Sequence, residues 1–230
     1  MTRVLQPELL DSLPAENPEA VRSRADLRRV NAWMGHRRIL VRALQSLRTT
    51  NVCRVVEIGA GDGTFALSLA KTLSGRWPNV ELTLLDQQRL VTTETEKGFR
   101  GLGWRPHIVR GDVFDWLDAE SQTADLMLAN LFLHHFNEAE LQRLLRAAAE
   151  RTTRFVALEP RRHFVPRLGC EFLWLIGCNR VTRHDARLSV RAGFNRQELS
   201  SLWPSCNGWH LREQSAGVFS HLFTATRASR

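Results

Sequence analysis

An apolar strand that runs into a glycine-rich turn constrains the fold of this chain more than any other feature. Residues 55–58 combine three aliphatic side chains with Glu57, and glycines follow at Gly59, Gly61 and Gly63. Such a turn lets a ligand lie against bare backbone, and the helix after it points unpaired N–H groups at that ligand. The pattern predicts a strand, a loop and a helix that together bind a nucleotide-like cofactor.

The glycine spacing argues against two common nucleotide-binding loops. A dinucleotide-binding loop has the pattern G-x-G-x-x-G, and here Thr64 takes the place of the third glycine. A P-loop needs a lysine and then Ser or Thr after its last glycine, whereas Gly63 is followed by Thr64 and Phe65. Neither NAD nor ATP fits the loop.

The apolar spacing along the chain predicts alternating strands and helices. We expect a loosely packed arm up to about Pro18 and two helices between residues 18 and 47. Residues 209–214 and 220–226 predict a closing hairpin. The alternation requires a parallel sheet with helices on both faces. Predicted strands cover about 52–58, 80–86, 105–110, 125–130 and 154–159, and predicted helices about 63–75, 87–98, 115–119 and 137–150.

Four segments resemble, in order, the motifs of class I S-adenosylmethionine-dependent methyltransferases. The first is E-x-G-x-G-x-G at residues 57–63, followed by a strand that ends at Asp86, the segment 111–114 and the strand 124–130. The resemblance covers residues 52–136. It implies an α/β, Rossmann-like fold whose seven-stranded sheet is mostly parallel with an antiparallel last strand, here with an N-terminal helical extension.

The same resemblance implies which residues hold S-adenosylmethionine, with S-adenosylhomocysteine as the product. The glycine loop passes beneath the methionine part of the cofactor, Asp86 holds the ribose hydroxyls, and Asp112 faces the adenine amino group. An arginine from a helix before the first strand would meet the carboxylate. The candidate cofactor-binding residues are Glu57, Gly59, Ala60, Gly61, Gly63, Asp86, Gln87, Asp112, Val113, Asn130 and Arg37.

The segment after the fourth strand bears on the acceptor. In the family, enzymes that methylate exocyclic amines carry an Asn/Asp-Pro-Pro-aromatic motif there, whereas residues 130–136 read N-L-F-L-H-H-F. The latter resembles the small-molecule branch, which includes phenol and quinone methylases. His134 and His135 are therefore candidate catalytic residues, since a histidine near its ordinary pKa exchanges protons readily. The alternative for each is packing or capping on the next helix.

Two further histidines are candidates. His163 follows the fifth strand and Glu159, at the edge where open α/β sheets bind ligands. His184 stands beside Asp185, although a turn or cap explains that pair equally well. Residues 160–188 form an insertion rich in large apolar side chains, including a stretch at 172–178, which we interpret as a buried helix or a wall of a hydrophobic acceptor pocket.

The charge of the chain leaves a second class of function open. The formal net charge is +8 with a pI near 10.7, a balance that suits nucleic-acid binding. Nearly all of the positive residues are arginines, because Lys71 and Lys97 are the only lysines. The basic residues are dispersed along the chain and form no long basic run. Dispersed arginines favour solvated helix faces, so nucleic acid is not the expected partner.

The remaining composition argues against metal, membrane and secretion. Four cysteines, Cys53, Cys170, Cys178 and Cys206, form no CxxC pair, so we predict reduced thiols and no metal site. The N-terminal residues carry no apolar signal segment, and the longest apolar stretch is far shorter than the roughly 20 residues that span a bilayer. We expect a cytoplasmic monomer or homodimer.

The sequence thus predicts an enzyme that methylates a small, hydrophobic acceptor, aromatic or polyketide-like as in secondary metabolism, on oxygen rather than ring carbon. Residues 1–50 would form an arm and lid helices, and residues 51–230 the methyltransferase domain, with 160–188 on the acceptor side. The alternatives are methylation of RNA or protein, or a non-catalytic module that binds the cofactor or RNA.

Overall fold

The computed structural model describes residues 2–47, 52–204 and 208–228. Seven strands form one sheet in the order β3-β2-β1-β4-β5-β7-β6, and β7 runs antiparallel to both of its neighbours. The predicted fold class is confirmed. The strands are β1 Arg54–Ile58, β2 Glu81–Asp86, β3 Arg105–Arg110, β4 Leu126–Asn130, β5 Arg154–Pro160, β6 Trp209–Ala216 and β7 Ser220–Arg227.

The predicted helices lie close to where the apolar spacing placed them, and capping side chains set several of their starts, whereas α1, α8, α9 and α10 were not predicted. Asp112 and Asn137 cap α6 and α7, and Asn137 forms a reciprocal capping box with Glu140. The helix expected from residue 87 begins later, because Thr92 caps it. The helices are α1 Leu9–Ser12, α2 Pro18–Trp33, α3 His36–Ser46, α4 Thr64–Leu73, α5 Thr93–Gly101, α6 Val113–Ala119, α7 Glu138–Arg151, α8 Phe164–Cys170, α9 Arg180–Ala192 and α10 Glu198–Leu202.

The central parallel strands β1, β4 and β5 are buried on both faces, whereas the edge strand β3 is not. Val55 packs on one side of the sheet with Leu44 and Leu69, while its neighbour Val56 packs on the other side with Leu144. The order of the strands reverses between β1 and β4, so their carboxyl ends open a crevice at the switch point, which is where open α/β sheets bind ligands.

The expectation of a loosely packed N-terminal arm is wrong. Arg3 donates to the backbone carbonyls of Ala192, His134 and Phe136. The amides of α1 at Leu9 and Leu10 donate to the carboxylate of Asp185 at 2.9 Å each. The polar groups of the arm find their hydrogen-bond partners in distant parts of the chain. Such partners cannot be read from the spacing of apolar residues within the arm.

The expectation that the apolar stretch 172–178 is a buried helix is also wrong. It forms a 3₁₀ turn, Leu173–Ile176, in which Leu173 is buried while Trp174 and Leu175 are exposed. Among the described residues, no helix is both long enough and apolar enough to cross a membrane. Cys53, Cys170 and Cys178 are free thiols, and Cys206 lies outside the described residues.

Candidate functional site

The glycine loop between β1 and α4 has a backbone that suits glycine alone. Gly59, Gly61 and Gly63 have φ values of +69°, +57° and +70°, in the left-handed region. At Gly59 a Cβ atom would also overlap the ring of Phe132. Ala60 is held by a hydrogen bond from its N–H to the carbonyl of Leu85 at 3.0 Å, which ties the loop to β2.

Asp86 connects the end of β2 to this loop. Its carboxylate accepts hydrogen bonds from the N–H groups of Gly61 and Gln88, each at 2.8 Å. Burial raises the pKa of Asp86, although the two backbone hydrogen bonds oppose that rise. The sequence placed Asp86 at the cofactor loop, and the structure brings the two together.

Asp112 lies next to Asp86 through the intervening Gln87. The Gln87 side chain donates to Asp112 Oδ2 at 3.3 Å, while Asp112 Oδ1 accepts the N–H of Phe114 at the start of α6. Val113 is buried in the core. An aspartate that caps a helix is common in proteins. Here the capping Asp112 is also hydrogen-bonded to Gln87, the residue that follows Asp86 at the end of β2.

Two acceptor atoms near the β1 and β4 ends have no hydrogen-bond partner within the described residues. These are Oε2 of Glu57, which is buried beneath the glycine loop, and Oδ1 of Asn130 at the end of β4. Burial, followed by the nearby charges of Asp62 and Asp86, raises the pKa of Glu57 to about 8. Buried polar atoms are nearly always paired, so these two fit a ligand that carries N–H or O–H groups.

A buried carboxylate shapes the segment after β4. Leu131 has a φ of +55°, which is uncommon for a residue other than glycine. The next two amides, of Phe132 and Leu133, donate to Glu159 Oε1 at 3.0 and 2.9 Å. Glu159 therefore holds the 3₁₀ turn Leu133–His135 in place from β5.

His134 lies between two carboxylates. Its Nδ1 is 2.8 Å from Glu159 Oε2, and its Nε2 is 3.4 Å from Glu8 Oε1. Burial disfavours the charged ring, but hydrogen bonds to Glu159 and Glu8 outweigh burial and raise the pKa of His134 to about 9. Burial likewise opposes ionisation of Glu8, and the hydrogen bond with His134 nevertheless lowers its pKa. An imidazolium with both nitrogens engaged has no free site to accept a proton.

His135 is the more open of the two adjacent histidines. Its side chain is 28% exposed, and its Nδ1 lies 3.2 Å from Asp11 Oδ2. The rings of His134 and His135 contact each other with centroids 4.3 Å apart. The charges of Asp11 and His135 both reach Asp86, where Asp11 raises and His135 lowers the pKa of the carboxyl.

The other two candidate histidines have local partners. His163 caps α8 by accepting the N–H of Val165 at 3.4 Å. His184 pairs with its neighbour Asp185 at 3.0 Å, and its side chain is 47% exposed. His163 is therefore a helix cap, which the sequence did not predict, and His184 forms a local pair within α9 rather than a turn or cap.

The helices before β1 present a different arginine from the predicted one. Arg37 donates to Thr72 on α4 at 2.9 Å, whereas Arg28 on α2 forms an ion pair with Asp62 of the glycine loop at 2.6 Å. Sequence reasoning missed Arg28 as a site residue, along with Glu8. The only signal was that Arg28 belongs to the densest basic cluster of the chain.

A switch-point crevice with a glycine loop and acidic side chains near the strand ends is the arrangement by which open α/β proteins bind nucleotide-like cofactors. Residues 55–154 match the family model described as a methyltransferase domain. This match falls on the region that carries the motifs, so the family that the motifs resemble is also the one whose model fits residues 55–154.

Solved methyltransferase structures share this fold. Mitomycin 7-O-methyltransferase MmcR superposes with a TM-score of 0.60 at 19% identity, over 95% of this chain and 60% of that chain. An O-methyltransferase family protein from Burkholderia thailandensis gives 0.60 at 17% identity, over 94% and 64%. Plantazolicin methyltransferase BamL, solved with SAH and a desmethylPZN analogue, gives 0.64 at 12% identity, over 94% and 91%. This chain spans less than two thirds of the length of the first two.

Proposed function

We propose that this protein transfers a methyl group from S-adenosylmethionine to a small acceptor. The observation that carries the proposal is the hydrogen-bonded frame of Gly61, Asp86 and Asp112 beside two buried acceptors without partners, on Glu57 and Asn130. The ammonium and hydroxyl groups of this cofactor are donors of the kind that such acceptors need. When bound, the cofactor supplies a methyl group already attached to its leaving group.

The residues of this chain would contribute mainly alignment. In an in-line displacement, the gain comes from holding the acceptor atom, the methyl and the sulfur in one line. We propose that His134 and Glu159 are positioning residues, since together they hold the turn that follows Asn130. His135, which is partly exposed in the turn after β4, is the histidine that we propose to face the acceptor.

We propose a hydrophobic, aromatic or polyketide-like acceptor that is methylated on oxygen rather than ring carbon. The segment 130–136 lacks the Pro-Pro motif of amine methylases, which supports this choice. The apolar side chains of the insertion also support a hydrophobic acceptor, because many of them are exposed and do not pack in the core. We also propose that the first 50 residues act as arm and lid, supported by the Arg28–Asp62 ion pair.

Calorimetry with S-adenosylhomocysteine tests cofactor binding. We compare wild type with Asp86→Asn, which removes the charge but keeps the shape, and with the control Asp118→Asn, which changes an exposed surface pair with Arg143. A hydrogen bond to a charged group is worth about 1.5–3 kcal/mol, so Asp86→Asn should bind roughly 10- to 100-fold more weakly. Absence of binding by wild type, or equal affinity of Asp86→Asn, would contradict the proposal.

Mass spectrometry identifies the acceptor class. Phenols, quinols and polyketide-like acids are incubated with the enzyme and S-adenosylmethionine, alongside RNA and histone-like peptides. We expect a methylated product from the small aromatic acceptors. Methylation confined to RNA or peptide would overturn the acceptor assignment and leave the cofactor assignment standing.

A further inference from the structure

We propose that Glu8, His134 and His135 form a binding site for a divalent transition-metal ion. One ligand atom from each residue lies within 4.8 Å of the other two. Glu8 comes from the N-terminal arm, whereas the two histidines come from the turn after β4. The sequence predicted no metal, because spacing rules detect only ligands that are close in sequence, and the structure joins a distant carboxylate to an adjacent histidine pair.

The orientation of His134 fits a metal ligand. Its Nδ1 is held by Glu159 at 2.8 Å, so its Nε2 points at Glu8, 3.4 Å away. Metal-binding histidines usually donate the second ring N–H to a carboxylate, which fixes the tautomer and orients the ring. A metal ion at Nε2 would displace the proton that lies between His134 and Glu8, and this proton would be released to solvent. Glu159 supplies that carboxylate, and it is itself fixed by the amides of Phe132 and Leu133.

Glu8 is held in the same way. Its Oε1 accepts a hydrogen bond from Ser189 on α9, and its side chain is only 13% exposed. Donor atoms around tetrahedral zinc stand about 3.3 Å apart when the metal–ligand bonds are about 2.0 Å. Closing the present spread of up to 4.8 Å to that distance takes side-chain movements of roughly 1.5 Å, in which the partly exposed His135 ring would turn and loosen its contact with Asp11.

The chemistry of the ligand set indicates the class of ion. Two imidazoles and one carboxylate suit Zn²⁺, Mn²⁺ or Fe²⁺ rather than Mg²⁺ or Ca²⁺, which prefer oxygen ligands. Asp11 lies 3.2 Å from His135, and Asp86 and Glu159 add negative charge on either side. This surplus of carboxylates favours a dication, and three protein ligands leave a coordination position open.

The position of the cluster suggests a role, and this part rests on the proposed function. His135 lies in the turn that follows β4, at the carboxyl end of the sheet where the cofactor crevice is expected. An ion held there would bind the oxygen of a hydroxyl acceptor at its open position and favour the ionised form, with the proton released to solvent. His135 would then face the acceptor through the ion.

Metal titrations test the site. The full-length protein is freed of metal with a chelator and titrated with Zn²⁺ by calorimetry, and with Co²⁺ by its visible absorption. Glu8→Gln and His135→Ala each remove one ligand without touching the His134–Glu159 pair. His107→Ala, at an exposed histidine on β3, is the control. Thermal melts establish that every variant is folded.

We expect one Zn²⁺ per chain in wild type and in His107→Ala, and at least tenfold weaker binding in both ligand variants. Absence of stoichiometric binding, or unchanged affinity in both variants, overturns the site. The same samples are titrated with S-adenosylhomocysteine. Cofactor binding without zinc binding refutes the metal site alone, while zinc binding without cofactor binding supports the metal site and refutes the proposed function.

Discussion

Replacing Glu159 with glutamine should remove a large share of the stability of this protein. Glu159 is fully buried and accepts three backbone N–H groups as well as the ring of His134. Glutamine keeps the shape but carries no charge, and its NH₂ group is a donor that faces other donors. The buried imidazolium of His134 would then retain Glu8 as its remaining carboxylate partner.

Two estimates of the cost agree. The pKa of His134 rises from 6.5 to about 9 in the folded protein, against the burial that opposes it and through its hydrogen bonds to Glu159 and Glu8. At about 1.4 kcal/mol per pKa unit, that rise corresponds to about 3 kcal/mol. Removing one partner of a buried ion pair costs about 3–5 kcal/mol in other proteins. We therefore expect Glu159→Gln to lose about 3 kcal/mol, or roughly 6–12 °C in melting temperature.

The loss should depend on pH in a defined direction. His134 has a raised pKa, so its stabilisation is complete below pH 6.5 and disappears as the pH rises through about 9. Urea unfolding with a chelator present is compared at about pH 6 and about pH 9.5. The difference in the free energy of unfolding between wild type and Glu159→Gln, which we call the gap, should be widest at the lower pH. Glu150→Gln, at an exposed position of α7, is the control and should change stability by less than about 0.5 kcal/mol.

Two results would refute this reasoning. One is a gap below about 1 kcal/mol at the lower pH, which would mean that the buried carboxylate contributes little net stability. The other is a gap that does not change with pH, which would mean that His134 is neutral in the folded protein.

Three further predictions concern other parts of the molecule. Gly59→Ala should weaken S-adenosylhomocysteine binding at least tenfold in calorimetry, because its Cβ overlaps the Phe132 ring at a left-handed φ, while Gly75→Ala, which has open space, should not. Asp185→Asn should release the N-terminal arm, so limited trypsin digestion should cut it faster than in wild type; equal rates would contradict this role. Burial lowers the pKa of His36 to about 4, so the folded protein should lose roughly 3 kcal/mol in urea unfolding as the pH falls from 6.5 to 4, and a flat profile would contradict that neutral state.

The framework of the fold was predictable because each of its signals is local. Asn137 and Glu140 form the capping box that their spacing suggests, and Asp112 begins α6 in the same way. Continuous apolar runs such as residues 126–129 mark strands that are buried on both faces. The prediction of a buried helix at residues 172–178 was wrong because burial is not a local property. Apolar content alone does not tell whether a side chain such as Trp174 faces the core or solvent.

The cofactor side of the candidate site was also predictable, because parallel strands end at one edge of the sheet. Gly61 and Asp86 meet for that reason, although 25 residues separate them. The histidine side was not predictable. Leu9 and Asp185 are joined across 176 residues, and the contact of Glu8 with His134 depends on the same docking of the arm.

By itself, the sequence determined the alternating strands and helices of a doubly wound sheet and the loop that would hold S-adenosylmethionine, because short-range patterns dictate strands, turns and caps. Only the tertiary structure decided that His134 is clamped between Glu8 and Glu159, and that Arg28 rather than Arg37 meets the glycine loop. The physical reason is that these contacts are electrostatic and depend on distance and burial, which the packing of remote segments creates.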